Sequence, residues 1–385
     1  MTTKGSLLNI LKEQKKGYSL ARPFYKDEKF FASDMKHIWY KSWVFAGHPC
    51  EVPKVGDYFT FTLGEYPIVV IRMSDKEEDI QAFHLRNIKN SVIKHTLKEQ
   101  INGSVKLPKR VTQKLTPIHC KNVCYYLFIS LAKEPDDIAP LEKDVSDYIA
   151  PYNLDKLKIA SSSTIIEQGN WKLVMENNRE CYHCSSNHPE LIITFPEDPS
   201  VTGIPSEKTP KILRDCWEKC EAMNMPSRFL MSEDGTYRVT RVPLLNGFTS
   251  FTMDGKAAVK KRVCHAEDPD IGSLLYFHYP SSWNHFLGDQ VISFRLIPLT
   301  AQKTLLTTKW MINKDAIEGK DYTIERLRYV WDQTNLQDRH LVEQNQLGIN
   351  SPDYLPGPYS AEYETGVAQF VDWYSNTLQK RLPTK

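Results

Sequence analysis

The stretch from Asn170 to Leu191, NWKLVMENNRECYHCSSNHPEL, concentrates the side chains able to do chemistry. His183 and His188 are five residues apart, which on an ideal helix turns them about 140° from each other. They converge on one metal only if the helix ends or bulges between them, and Ser185-Ser186-Asn187-His188-Pro189 supplies such an end. Glu180, three residues before His183, falls on nearly the same helical face. Spacing alone serves an exposed polar helix end with two unrelated histidines equally well. A third residue tips the balance. In a long amphipathic segment at about 322–347, the core-facing stripe runs Ile324, Leu327, Trp331, Thr334, Asp338, Leu341, Val342 and Asn345. A carboxylate in such a stripe needs a cation or strong donors, because a buried unpaired charge is costly. Two imidazoles and one carboxylate are the facial triad of non-haem Fe(II), with positions left open for O₂ and substrate. Pairing of Asp338 with Arg179 or Arg295 is the other reading of the stripe.

The elements that must hold these residues are partly legible. Residues 7–45 read as helical, with Phe30, Phe31, Met35, Ile38, Trp39 and Trp43 at helical spacing. Two β-rich runs flank Gly64-Glu65 within 57–72 and predict a hairpin. Further strands are expected at 79–85 and 124–131, with a Lys-rich loop between them. A strand leading into a helix is expected over 160–172, the helix running from Trp171 to Tyr182 and over by Pro189. Strands follow at 247–253, 273–280, 290–297 and 303–312, then the long helix stopping at Gly348 and a last amphipathic helix at about 360–380. The stretches around 197–240 and 254–270 read as loops or short helices over a pocket. The expected fold class is α+β: a small N-terminal β domain plus a helix-grip domain, in which a curved antiparallel sheet grips a long C-terminal helix. The expected division is 1–45 as a helical segment packing on the catalytic domain, 46–155 as the β domain and 156–385 as the catalytic domain.

Composition excludes several classes. Forty-nine Lys+Arg against 47 Asp+Glu leave a net charge of +2, too even for a chain devoted to nucleic acid or an anionic membrane. The longest apolar run, Val123 to Ala132, is about half the ~20 residues needed to span a bilayer. MTTKGSLLNILKEQKKGY lacks the apolar core of a signal peptide, so a cytoplasmic enzyme is expected. The eight cysteines, at 50, 120, 124, 181, 184, 216, 220 and 264, then read as free thiols or ligands rather than a disulfide framework.

The stretch 170–191 resembles the catalytic-domain motif of Rieske-type non-haem iron oxygenase α subunits, in the branch that oxidises quaternary ammonium compounds such as glycine betaine, stachydrine and carnitine. The resemblance continues through FHYPSSWNHFLGDQVISFRLIPL, TLLTTKWMINKDAIEGKDY and TNLQDRHLVEQNQLGINSPDYLPGPYS, and covers nearly all of 160–380. It implies iron ligands at His183, His188 and Asp338, a carboxylate at Glu180 linking the iron to a neighbouring subunit's Rieske centre, and a supporting role for Asn177. It also implies a ring-shaped trimer.

The small domain breaks the pattern. A Rieske cluster needs two cysteines and two histidines, and by position Asn87 and Lys89 stand where the first Cys-x-His belongs. The second pair has no counterpart, so the β domain reads as a degenerate Rieske-like domain and no [2Fe–2S] cluster is expected. The expected function is therefore an Fe(II) oxygenase using O₂ on a small, methylated-ammonium or amine substrate, by hydroxylation or oxidative C–N cleavage. Its electrons come from elsewhere: from a Rieske-bearing homologue that it partners, in a hetero-oligomer, in a structural or electron-accepting role, or from a reductase or the substrate in a stand-alone enzyme. A third reading, a non-catalytic binding or scaffold subunit, is opposed by the presence of all three ligands. A diiron version would draw on Glu176, Glu180 and Glu343. Trp283, in the turn-like SSWNHF, with Phe286 and Phe251, is the expected aromatic lining for a methylated cation, and Phe277, Tyr279 and Phe248 are further candidates, although core packing explains most such rings.

Overall fold

Residues 3–76, 79–85, 115–197, 204–207, 209–264 and 266–383 are described by the computed structural model. Asn87 and Lys89 lie outside them. The chain divides into two units, Trp39–Lys143, and Met1–Ile38 together with Asp144–Lys385.

In the smaller unit, Val44–Gly47 (β1), Tyr58–Leu63 (β2), Tyr66–Arg72 (β3), Ile80–His84 (β4), Thr116–Val123 (β5) and Tyr126–Ser130 (β6) form one antiparallel sheet in the order β1-β6-β5-β4-β3-β2. The hairpin at Gly64-Glu65 is as expected, with Leu63 opposite Tyr66 and Gly64 at φ 59°. The strand expected from Cys124 starts two residues later. Cys124 and Tyr125 both take positive φ, 50° and 64°, and make a second two-residue turn without the glycine or asparagine that normally marks one.

The larger unit opens with three short helices, Thr3–Lys12 (α1), Pro23–Lys26 (α2) and Glu28–Asp34 (α3). Ala139–Ile149 (α4) leads into Leu157–Glu167 (β7), Trp171–Asn178 (α5), Cys184–Asn187 (α6) and Lys211–Ala222 (α7). Leu230–Met231 (β8), Tyr237–Val242 (β9), Ser273–His278 (β10), Ser282–Phe286 (β11), Val291–Thr300 (β12) and Lys303–Asn313 (β13) follow as an antiparallel meander, and β7 closes the sheet beside β13. The long helix Ile324–Asn350 (α8) and the final helix Thr365–Arg381 (α9) complete the α+β fold.

Several expectations change here. Residues 247–253 are not a strand: Asn246, Gly247 and Gly255 all take positive φ and fold this segment into turns, while the strand lies earlier, at β9. SSWNHF is not turn-like but the strand β11, with Ser282 opposite His278 and Phe286 opposite Leu274. Strands β9, β10 and β11 are buried along their whole length, so their sequences lack the alternation of a half-exposed strand. Helix α8 runs through Gly348 to Asn350 instead of stopping there.

Two contacts fix the helices that matter most. Asn170 caps α5 by accepting from the Lys172 N–H at 3.0 Å, and its own N–H donates to Gln346 of α8 at 2.9 Å. Gly169 sits where a Cβ would lie 2.4 Å from Val342 of α8, so only glycine lets the two helices approach this closely. At the start of α5, the fully buried Lys172 pairs with the fully buried Asp34. Asp34 also accepts from Tyr374 at 2.6 Å and Trp171 at 3.1 Å, which supplies the hydrogen bonds a buried ion pair requires.

Candidate metal centre

Helix α5 ends at Asn178, four residues before the expected stop, with the Arg179 N–H turned back onto Glu176 O. Its early end resolves the angular problem of the histidine pair. His183 precedes the single turn of α6 and His188 follows it, so neither is bound to the 140° separation of a continuous helix. The His183 carbonyl accepts from the Asn187 and Ser186 side chains at 2.8 and 3.1 Å, which tightens this turn. The two rings meet with their Nε2 atoms 3.0 Å apart.

Asp338 arrives from α8. Its Oδ1 lies 3.0 Å from His188 Nε2 and 3.4 Å from His183 Nε2, and accepts from Asn177 at 2.6 Å. Arg179, the alternative partner, donates instead to the Tyr279 hydroxyl at 2.5 Å. Bonds of about 2.1 Å to one metal, set at right angles, would separate ligand atoms by about 3.0 Å. The observed edges of 3.0, 3.0 and 3.4 Å fit one face of such a coordination sphere. The outer ring nitrogens are engaged as well: His183 Nδ1 meets Glu180 at 2.5 Å, and His188 Nδ1 meets Gln337 Oε1 at 2.9 Å. Gln337 in turn donates to Glu190 at 2.7 Å. Such partners hold the Nδ1 protons outward and leave the Nε2 lone pairs facing inward.

The electrostatics agree. Burial opposes charge on His183, but Asp338 and Glu180 overcome it and raise the ring to about 10. The two imidazoles in turn hold Asp338 well below the usual carboxylate range despite its burial. Without a metal these groups share protons; a divalent cation replaces them with one centre of charge.

Cys184 also lies close, its sulfur within 4.8 Å of both histidine donors. It is bonded to Cys181, so it offers no thiolate, and the pair read as thiols from sequence is a disulfide. The diiron carboxylates do not assemble. Glu176 accepts from Tyr25 and Tyr359 at 2.8 and 3.1 Å, and Glu343 from the Gln168 N–H at 3.0 Å. The site is mononuclear.

A small cavity opens on the triad, walled by Leu191, Phe195, Leu275, Phe277, His285 and Trp331, with Asn177, Asn178 and Glu180 at its polar end. Of the expected aromatic lining, Phe286 points to the opposite face of β11 and packs on Tyr152 at 5.0 Å. Trp283 stacks on Phe294 at 5.1 Å, and Phe294 backs Trp331 at 4.8 Å, so Trp283 stands behind the wall. Phe251 is likewise one layer out, against Trp331 and His285 at 5.7 and 5.4 Å. The residues missed were Trp331, which the helical stripe offered only as core, with Phe195 and His285. Burial lowers His285 to about 3, which keeps this imidazole neutral in the cavity wall.

Residues 154–380 match the family model for the ring hydroxylating alpha subunit catalytic domain. The glycine betaine monooxygenase oxygenase subunit of Chromohalobacter salexigens is 40% identical over 402 residues, covering 97% of this chain and 89% of that protein. Its counterpart from Pseudomonas aeruginosa strain UCBPP-PA14 is 41% identical, covering 97% and 92%. Among solved structures, the quaternary ammonium Rieske monooxygenase CntA with L-carnitine shares the fold at TM-score 0.63 and 15% identity, covering 96% of this chain and 98% of that one. Naphthalene 1,2-dioxygenase from Rhodococcus sp. does so at TM-score 0.64 and 13% identity, with 99% of each chain covered. Against that background the sequence holds no Cys-x-x-His, and its single Cys-x-His runs from Cys181 to His183 in the larger unit. No helix among the described residues is long and apolar enough to cross a membrane. The chain belongs to the ring hydroxylating alpha subunit family, as a mononuclear non-haem iron oxygenase of Rieske fold whose sequence lacks the full Rieske ligand set.

Proposed function

We propose that this chain hydroxylates a carbon next to the nitrogen of a small methylated ammonium or amine, with iron held by His183, His188 and Asp338. The observation that carries the reading is the triangle of donor atoms, with edges of 3.0 to 3.4 Å and outer nitrogens already engaged. Bound ferrous iron would supply the O₂ chemistry. The chain's own residues do the rest. Glu180 and Gln337 set the tautomers of the two histidines, and Asn177 steadies Asp338 through its side-chain amide. Trp331, Phe195 and Phe277 present rings to the cavity, each worth roughly 0.5–2 kcal/mol to a desolvated cation. Neutral His285 adds a hydrogen-bonding group without a competing charge. The relatives named for glycine betaine make a trimethylammonium acid the first substrate to test.

The stoichiometry requires R–CH₃, O₂, two electrons and two protons to give R–CH₂OH and water. A hydroxyl on the carbon beside nitrogen then collapses to formaldehyde and the demethylated amine. The electrons come from outside the chain. Glu180 lines the iron cavity and also a larger cavity of about 450 Å³ beside Tyr25, Glu176 and Tyr359, which favours delivery on that side by a Rieske-bearing homologue in a trimer-type assembly over a stand-alone enzyme. In this reading 46–155 is a Rieske-like domain without its cluster, 156–385 the catalytic domain and 1–45 a helical segment on it, in a cytoplasmic protein.

The test is formaldehyde release from glycine betaine by the Fe(II)-loaded chain. It is run with a reductase alone and with a Rieske-bearing homologue added. Release only with the homologue supports delivery in trans, and release with a reductase alone supports the stand-alone enzyme. Failure of the chain to retain iron would sink the whole reading.

A further inference from the structure

Directly behind the cavity wall lies a buried cation with no counter-ion among the described residues. Arg179 is fully buried, and Nε is the guanidinium atom that is satisfied, through the Tyr279 hydroxyl. Nη1 and Nη2 have no hydrogen-bond partner among the described residues. A guanidinium taken out of water normally comes with a carboxylate, because desolvating it alone is among the costliest things a fold can do. The neighbours of Arg179 in sequence, Asn178 and Glu180, line the iron cavity, as does Phe277. The guanidinium carbon stands 4.3 Å from the centre of the Phe277 ring. Buried Arg238, opposite Phe277 on β9, lies 4.7 Å from the same ring centre.

Two free Nη groups form the edge of a guanidinium that grips a carboxylate through two parallel hydrogen bonds. We propose that Arg179 anchors a carboxylate of the substrate, past the edge of Phe277, so that the chain selects zwitterionic methylated-ammonium acids over ammonium alcohols. This rests on the reading of the cavity as a methylated-ammonium site and extends it to the other end of the substrate. A buried donor pair left empty by the wrong ligand discriminates far more strongly than a missing methyl group does. It also separates two classes of compound that aromatic rings alone would treat alike.

Calorimetric titration of the Fe(II)-loaded chain, without O₂, tests this with three probes. Glycine betaine carries both charges, choline the ammonium alone, and 3,3-dimethylbutyrate the carboxylate alone. Glycine betaine should bind at least ~10-fold tighter than choline. Arg179→Gln should weaken glycine betaine and 3,3-dimethylbutyrate by at least ~10-fold and leave choline unchanged, with Arg179→Lys recovering part of the loss. Without ligand, Arg179→Gln should lower Tm only slightly, since the bond to Tyr279 and the stack on Phe277 are lost but no internal ion pair is. Equal weakening of all three probes, together with a large drop in Tm, would make Arg179 a structural residue and overturn the proposal. Choline binding as tightly as glycine betaine to wild type would overturn it too, and that comparison decides the matter should Arg179→Gln not fold. Binding of 3,3-dimethylbutyrate alone, dependent on Arg179, would sustain the anchor and defeat the methylated-ammonium reading instead.

Discussion

Both units of the chain carry histidines and cysteines, and they use them in opposite ways. In the smaller unit, His119 and Cys120 are neighbours on β5, where side chains alternate between faces. His119 is exposed, with Nε2 3.4 Å from Lys133 O. His48 Nδ1 is engaged by the Tyr125 carbonyl at 3.1 Å. In the larger unit, His183 and His188 bracket one helical turn, and a carboxylate 150 residues further on completes a triangle with them. Among the described residues, one His/Cys/Asp/Glu group is close enough to hold a metal, and it contains this histidine pair. The difference lies in convergence rather than composition. A turn that ends early and a helix that crosses at close range make a site; a strand of adjacent ligands does not.

The largest effect should come from making the larger unit resemble the smaller one. Asp338→Ala leaves the two imidazoles facing each other 3.0 Å apart with no carboxylate between them. Loss of an outer partner of a metal ligand already costs about 10- to 100-fold in affinity or activity. Loss of a proposed ligand should exceed that, with iron near zero by metal analysis and turnover below about 1% of wild type. Iron bound at wild-type level would mean that the triangle is only a hydrogen-bond cluster.

Convergence can also be broken at a distance. Gly169→Ala puts a methyl group 2.4 Å from Val342, one turn beyond Asp338 on α8. Val342 must give way, and a displacement of about 1 Å passed along α8 to a reacting centre can cost about 100-fold. A drop of about 10- to 100-fold in turnover is expected, with partial recovery in Gly169→Ala/Val342→Ala. No recovery in the double variant would place the damage elsewhere than at the α5–α8 approach.

How much of this was legible in the sequence follows the same division. The histidines and Asp338 stood out because a carboxylate in an apolar helical stripe has to be explained by something outside its own helix. The stop of α5 at Asn178 was hidden, because ENNRECY continues a plausible helical run and carries no proline or glycine. Strand β11 was missed because its residues are buried on both faces, and that removes the alternation that marks a strand. The aromatic lining was legible at Phe277 and missed elsewhere for a non-local reason. Trp283, Phe286 and Trp331 are equally apolar in sequence, and the pleat of β11 and the crossing of α8 decide which ring meets the cavity.

A smaller effect separates the units by pH. The site-bearing unit encloses Glu176, where burial outweighs the Tyr25 and Tyr359 hydroxyls and lifts the carboxyl to about 7. Its ordinary value is about 4.3 in an unfolded chain. The folded state thus holds a proton that the unfolded state releases. The associated stability is full below about pH 4.3 and falls as pH rises to about 7, by a few kcal/mol at most. Glu176→Gln should flatten that decline in urea unfolding between pH 5 and 8, leaving the variant the more stable chain at the upper end. An unchanged slope would assign the decline to other groups.

The smallest effect is expected in the smaller unit, and it bears directly on the contrast between the two. Burial pushes the Cys120 thiol up to about 12, against a weak opposing pull from Lys121, so at neutral pH it is a protonated thiol and a poor metal ligand. Its neighbour His119 points to the other face of β5 and shares no metal-binding position with it. Replacing both, as His119→Ala and Cys120→Ala, removes two of the residue types that a metal site would need. Iron per chain should stay at the wild-type value, and turnover should change by less than about twofold, as for a substitution outside any ligand shell. Iron falling toward half would instead reveal a second metal in the smaller unit. The convergence argument would then fail where it makes its most specific claim, that adjacency along a strand cannot do what a turn and a crossing helix do.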